Sequence, residues 1–164
     1  MAKVMMAEGL VCEEKTNPVV QLHGWVKGSK FFGVSAVLLR IALGLGFIWP
    51  SLPKILGLRF TLLGPETKVG FFFEAMYQSG IYWNFLGWAQ MAAGVLLLVP
   101  RTRTIGALLY LPIILNIFLI TVGIGFQGTP YVTGLMLLGV LALLFYDGDR
   151  IIGALPVLAP RKAV

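Results

Sequence analysis

Four apolar runs, each close to the length that crosses a bilayer, limit what this chain can fold into. A helix needs about 20 mostly apolar residues to cross the hydrocarbon core. Only 12% of the residues are charged, against roughly 25% in a typical soluble domain, and a water-exposed surface of this kind would aggregate. The sequence therefore predicts an all-α fold, an integral membrane bundle of four transmembrane helices over 31–56, 81–99, 104–126 and 130–146.

The connections between the runs carry their own signals. Pro100 to Arg103 forms a tight polar turn, which predicts that the second and third helices are antiparallel neighbours. Thr129 is predicted to cap the fourth helix, with Pro130 at its first position. The longest connection, 57–80, contains an aromatic group too short to cross a bilayer. It predicts a short interfacial helix in the first loop, lying against the membrane or capping the bundle.

The basic residues predict the orientation of the spans. Four spans place both termini on one side, and nine of the 13 basic residues fall there. Lys54, Arg59 and Lys68 fall on the other side, and Arg40 lies inside the first span. By the positive-inside rule the termini are cytoplasmic. We expect a cytoplasmic N-terminal segment over 1–30 without a signal peptide, a transmembrane domain over 31–152 and a cytoplasmic tail over 153–164.

Several kinds of site are excluded by residue counts. Cys12 is the single cysteine and His23 the single histidine, so a disulfide, a CxxC redox motif and a multi-histidine haem or zinc centre are excluded within the chain. The basic residues form no stripe with interleaved aromatic residues, as a nucleic-acid-binding surface would require. The sequence predicts no catalytic residue, no metal site and no intrinsic cofactor.

Small and polar residues predict which helix faces point inward, because membrane helices pack through them. The predicted inward stripes are Ala36, Arg40 and Gly44 in the first span, Asn84, Gly87, Gln90, Met91 and Gly94 in the second, and Pro112, Asn116 and Gly123 in the third.

Six residues are candidate ligand contacts: Arg40, Trp49, Lys54, Glu74, Gln90 and Asn116. Four of them also have a structural interpretation. Arg40 either stretches to the cytoplasmic interface or faces the bundle and binds an anionic or carbonyl-bearing ligand. Lys54, at the helix end after Trp49, either snorkels or forms a polar mouth where Glu74 or a ligand meets it. Gln90 and Asn116 are either interhelical hydrogen-bonding residues or ligand contacts.

Three aromatic side chains, Tyr82, Trp83 and Trp88, open the second span. They are interpreted as an aromatic belt at the membrane interface, with a stacking surface for a quinone ring as the alternative.

The segments Leu39–Phe47, Pro53–Gly57, Gly87–Leu98 and Tyr146–Arg150 resemble the DoxX family, and the resemblance extends over 31–152. It implies a four-helix protein of the bacterial cytoplasmic membrane, some relatives being subunits of thiosulfate:quinone oxidoreductase. Many members have glutamate where this chain has Gln90. The departure removes a natural partner for Arg40 and argues against a proton-coupled role.

The function that the resemblance implies is a membrane subunit or anchor of a quinone-linked oxidoreductase. Any redox cofactor then belongs to a partner or is a diffusible quinone. A membrane assembly or chaperone-like protein is the alternative, and a small-solute transporter is a weaker third. The expected partners are the lipid bilayer and either a soluble oxidoreductase subunit or other membrane proteins. Association into a homo-oligomer is compatible with the same faces.

Overall fold

The computed structural model describes residues 30–151, and every regular element in that range is a helix. Four of the helices are long and apolar enough to span a membrane. The predicted all-α four-helix bundle is therefore confirmed, and the protein is a multi-pass membrane protein. The predicted cytoplasmic tail and nearly all of the N-terminal segment lie outside the described residues. The helices are α1 (Lys30–Ile55), α2 (Lys68–Gln78), α3 (Ile81–Leu98), α4 (Arg103–Gly123) and α5 (Thr129–Tyr146).

The chain divides into two compact units, and the boundary between Val37 and Leu38 falls within α1. In the described part of the first unit, the rings of Phe31 and Phe32 pack edge to face, with centroids 5.8 Å apart. All helices after α1, and the last eighteen residues of α1, belong to the second unit, which contains the candidate site.

The short helix predicted in the first loop is α2, although its position relative to a membrane stays a prediction. Thr67 caps it, because the Thr67 Oγ1 accepts a 3.0 Å hydrogen bond from the Gly70 N–H. Its 11 residues extend only about 16 Å, too short to cross a bilayer. Gly80, with a φ of +59°, then turns the chain into α3.

The connection between α4 and α5 differs in detail from the prediction. Helix α4 ends at Gly123, three residues early, because Gly125 and Gly128 adopt φ of +69° and +78° and reverse the chain. The cap predicted at Thr129 is wrong. Gly128 is the capping residue and Thr129 begins α5, with Pro130 in the first turn, where its missing N–H costs nothing.

Glycines let the helix backbones approach closely. A methyl group at Gly94 in α3 would lie 2.9 Å from the Gly44 carbonyl oxygen in α1. One at Gly106 in α4 would lie 2.6 Å from the Leu96 carbonyl carbon in α3. In α5, one at Gly139 would lie 3.2 Å from the Leu39 side chain. The small residues thus mark helix–helix contacts, as expected in a membrane.

The predicted inward faces are right for α1, largely right for α3 and wrong for α4. Ala36, Arg40 and Gly44 are buried in α1. In α3, Gly87, Gln90 and Gly94 are buried and Met91 is half-buried, although Asn84 is exposed. In α4 the predicted residues Pro112, Asn116 and Gly123 are all exposed, and the buried face consists of Gly106, Ala107, Tyr110, Ile114 and Thr121.

Tyr110 accounts for the different rotation of α4. Its ring stacks on that of Phe47, with centroids 3.5 Å apart, and its hydroxyl donates to the Leu43 carbonyl at 3.3 Å. The side chain is 0% exposed. Burial of the large Tyr110 ring, whose hydroxyl also finds a hydrogen-bond acceptor, stabilises this rotation of α4 more than burial of Asn116 would stabilise the predicted one.

Candidate functional site

Arg40 is buried and ion-paired at the end of the spans where α4 begins and α5 ends. Its Nη2 lies 2.9 Å from the Asp147 Oδ2, and the Arg103 Nη2 lies 3.3 Å from the Asp147 Oδ1. Only 6% of Arg40 and 2% of Asp147 are exposed. The glutamine at position 90 therefore does not leave Arg40 without a partner. The carboxylate comes from the end of α5, not from the Gln90 position.

These three charges join three helices at one end of the second unit, here named the Arg40 end. Arg40 comes from α1, Arg103 begins α4, and Asp147 caps the C-terminus of α5. The Arg40 guanidinium also lies 5.7 Å from the Tyr146 ring. The shared carboxylate holds the helices together, and the cluster carries a net charge of +1.

Lys54 lies at the opposite end, here named the Lys54 end, and it is also buried. It is 5% exposed, which excludes snorkelling. Its ammonium donates to the Pro50 carbonyl at 2.7 Å and lies 4.5 Å from the Phe60 ring centre and 5.5 Å from that of Trp83. Both ring contacts are within cation–π range. The ammonium is thus held in place by neutral groups.

A cavity of about 220 Å³, here named the Lys54 cavity, lies beside this lysine. Gln90 also lines it and is 2% exposed, and its Oε1 has no hydrogen-bond partner among residues 30–151. A buried polar atom is normally paired. The Thr121 and Thr133 hydroxyls, 3.2 Å apart, add a second polar spot to the wall. Most of the other lining residues are apolar, among them Phe47, Leu86, Ile114, Ile117 and Met136.

Aromatic residues of the first loop and α2 form part of the cavity wall. Phe60, Phe72, Phe73 and Met76 all line it. The Phe73 ring lies 5.0 Å from that of Phe60 and 5.9 Å from that of Phe126, which follows α4. The loop helix therefore covers part of the cavity with aromatic side chains.

Glu74 pairs with Arg59 and not with Lys54. The Arg59 Nε and Nη2 donate to the two Glu74 carboxylate oxygens at 2.8 and 3.0 Å. The hydrogen bonds from Arg59, and a further one from Gln78, lower the pKa of Glu74 to about 2. The hydrogen bond to Glu74 and the charge of its carboxylate in turn raise the pKa of Arg59. Glu74 lines a separate crevice of about 500 Å³ on the loop side. Of the two partners considered for Lys54, Glu74 is therefore engaged elsewhere, and a ligand stays a prediction.

Trp49 and Asn116 lie away from the Lys54 cavity. Trp49 is 80% exposed on the outside of α1. Asn116 is exposed on α4, in a groove of about 220 Å³ that it shares with Met76, Tyr82 and Pro112. Of the six candidates, the structure brings together Lys54 and Gln90.

The aromatic group at the start of α3 divides between surface and core. Tyr82 and Trp88 are exposed, as the belt interpretation predicts. Trp83 is 1% exposed, and its indole N–H donates to the Leu58 carbonyl at 3.0 Å. The belt prediction is therefore wrong for Trp83, which packs beside the Lys54 ammonium. Its alternation with two exposed aromatic neighbours fits helical periodicity and was the available signal.

Asp147 was also missed, and its position carried a signal. A carboxylate at a helix C-terminus faces the negative end of the helix dipole, so it needs cations nearby.

Across residues 30–151, no group of three histidine, cysteine, aspartate or glutamate side chains could hold a metal ion.

Comparisons with known proteins give one relative. No protein-family model matches the chain, and no solved structure matches it. The chain is similar to the uncharacterized protein YwoB of Bacillus subtilis (strain 168), with 31% identity over 120 residues. The match covers 70% of this chain and 77% of that protein.

Proposed function

We propose that this chain, which belongs to the family of the uncharacterized Bacillus subtilis protein YwoB, is a quinone-binding membrane subunit of an oxidoreductase complex. The observation that carries the proposal is the Lys54 cavity. It is a mainly apolar space within the helices. Its polar wall groups include a strong hydrogen-bond donor, the Lys54 ammonium, and an acceptor that no described residue pairs, the Gln90 Oε1. Few polar groups in an apolar cavity are typical of a small-molecule site.

A quinone ring suits these groups in both redox states. The flat ring is apolar and suits the aromatic and aliphatic wall. A quinone carbonyl accepts a hydrogen bond from the lysine ammonium, which has three donors and no acceptor. A quinol hydroxyl donates to the Gln90 Oε1, which has no other partner.

The cavity volume fits the headgroup alone. Sites for drug-sized ligands enclose roughly 300–1,000 Å³, and the Lys54 cavity encloses about 220 Å³. The proposal therefore places only the ring inside and leaves the isoprenoid tail among the lipids.

Electrons come from a partner in this proposal, because the residues that would hold a flavin, haem or iron–sulfur cluster are not present as a motif. The resemblance to the DoxX family supports a soluble oxidoreductase subunit as that partner. The positive-inside rule supports the bacterial cytoplasmic membrane with both termini in the cytoplasm. The partner then meets the Arg40 end, and the quinone binds at the Lys54 end.

A quinone-retention experiment tests the proposal. The tagged chain is purified in mild detergent from quinone-replete membranes, and bound quinone and copurifying proteins are identified by mass spectrometry. We expect retained quinone in the wild type and in Gln78→Leu, whose glutamine lies on α2 outside the cavity, but not in Gln90→Leu. A folded wild type without quinone would contradict the proposal.

A membrane assembly or chaperone-like function is the second candidate, and Asn116 favours it. This amide is exposed on a spanning helix and bonds to no other described side chain. Polar side chains in membrane helices bind neighbouring helices through hydrogen bonds. If unassembled membrane proteins copurify in place of quinone and a soluble subunit, and Asn116→Leu abolishes their binding, this second function replaces the first.

A further inference from the structure

Lys54 carries a positive charge for which the described residues supply no counter-ion. The Pro50 carbonyl and the Phe60 and Trp83 rings contact the ammonium, and all three are neutral. Glu74, an acid at the same end, is bound to Arg59. Arg40, the other cation buried in a spanning helix, has Asp147. A buried charge is costly unless an opposite charge meets it.

The ammonium and the unpaired Gln90 oxygen belong to one cavity wall. An ionised oxygen in the cavity would supply the missing negative charge to Lys54. A neutral carbonyl would complete the hydrogen bonding but leave the charge unbalanced. A charge-assisted hydrogen bond is about twice as strong as a neutral one.

We infer that the Lys54 cavity selects quinonoid rings that carry an ionised hydroxyl, as a hydroxyquinone anion or a quinol monoanion does. The ionised oxygen pairs with the Lys54 ammonium. In the quinol monoanion, the second hydroxyl donates to the Gln90 Oε1. This inference rests on the proposed function and adds the charge of the ligand to it.

Two small rings of nearly equal shape test the inference. The probes are 1,4-naphthoquinone, which is neutral, and 2-hydroxy-1,4-naphthoquinone, which is an anion at neutral pH. Their affinities for the full chain in detergent are measured by titration calorimetry at pH 7. We expect the anion to bind about ten- to a hundredfold more tightly.

Two lysine variants test whether the preference for the anionic probe depends on Lys54. Lys54→Met is expected to bind both probes equally. Lys68→Met, which removes an exposed lysine at the start of α2, is expected to keep the preference. A third probe, 2-methoxy-1,4-naphthoquinone, keeps the added oxygen but cannot ionise. It should bind the wild type as weakly as the unsubstituted ring, a result that needs no variant to fold.

The outcomes separate the inference from the proposed function. Equal affinity of the wild type for all three rings means that Lys54 acts as a neutral donor, which overturns the inference and leaves the quinone site intact. A preference that persists in Lys54→Met overturns it as well. Failure of every ring to bind the folded wild type overturns the proposed function itself.

Discussion

Two cations are buried in the spanning helices, and their surroundings differ in kind. Arg40 pairs with the Asp147 carboxylate, which it shares with Arg103, so an opposite charge from the protein contacts it. The contacts of the Lys54 ammonium within the described part of the chain are with neutral groups. Because loss of one partner of a buried ion pair is strongly destabilising, the Arg40 end has the character of a structural clamp. A charged group in a cavity without an opposite charge is instead typical of a functional site. The Lys54 end has the character of a binding site.

Asp147 is the residue whose loss the clamp should tolerate least. Asp147→Asn keeps the shape of the side chain but leaves two guanidinium groups against a neutral amide. Removing one partner of a buried ion pair costs about 3–5 kcal/mol. We expect a loss of that size in the free energy of unfolding, measured by denaturant titration in detergent.

The matched control is Glu66→Gln, which makes the same chemical change at an exposed loop position and should change stability by less than about 0.5 kcal/mol. Replacing both partners, as in Arg40→Met with Asp147→Leu, should restore much of the loss, because no buried charge of that pair is then uncompensated. An Asp147→Asn protein as stable as the wild type would show that the cluster contributes nothing to the fold.

Helix α4 shows how backbone contact depends on single glycines. Gly106 lies against the α3 backbone, where an added methyl group would meet the Leu97 Cα at 2.7 Å. Backbone cannot move aside as a side-chain end can, so Gly106→Ala should separate α3 and α4 locally and cost about 1–3 kcal/mol in the free energy of unfolding. Denaturant titration in detergent measures the change.

Gly123 provides the matched control at the other end of the same helix. An added methyl group there meets nothing within 4 Å, and its backbone φ is not positive. Gly123→Ala should be neutral or stabilising by up to about 1 kcal/mol, because alanine is the better helix former. Equal losses at both positions would mean that the contact with Leu97 does not limit helix approach.

At the level of elements, the hydropathy of the sequence predicted the spans better than the positions of single polar residues predicted the buried helix faces. The four spans could be predicted within a few residues, because length and apolar content decide what crosses a bilayer. The rotation of α4 about its own axis could not be predicted in this way. Asn116 predicted an inward face of α4 that the structure does not have. Tyr110, an aromatic residue in an apolar run, sets the buried face of α4 by stacking on Phe47. Which face of a helix is buried depends on the helices that pack against it, and the sequence alone does not show those contacts.

For the whole molecule, half of the candidate site could be predicted and half depended on tertiary contacts. Lys54 and Gln90 stood out as polar residues in apolar runs. Trp83 and Phe60 did not, because aromatic residues near a membrane are expected at the interface. Asp147 stood at a predicted helix end, and its pairing across more than 100 residues of sequence has no local signal.

The orientation of the molecule is open to a direct test, because Cys12 is the single cysteine. With cytoplasmic termini, a membrane-impermeant maleimide should leave Cys12 unlabelled in intact spheroplasts and label it after lysis. The charge asymmetry is the physical reason, since nine basic residues on one side oppose three on the other. Labelling is measured by the mass shift of the purified chain.

Two cysteine-replacement proteins make the result decisive. Cys12→Ser with Lys68→Cys puts the thiol at the exposed start of α2 and should be labelled in intact spheroplasts. Cys12→Ser with Lys162→Cys moves the thiol to the opposite terminus of the chain and should behave like the wild type. If Cys12 is labelled from outside while Lys68→Cys is protected, the orientation is inverted. The Lys54 cavity would then lie at the cytoplasmic end of the spans. Under the proposed function, a soluble oxidoreductase would in that case meet the quinone end of the molecule directly.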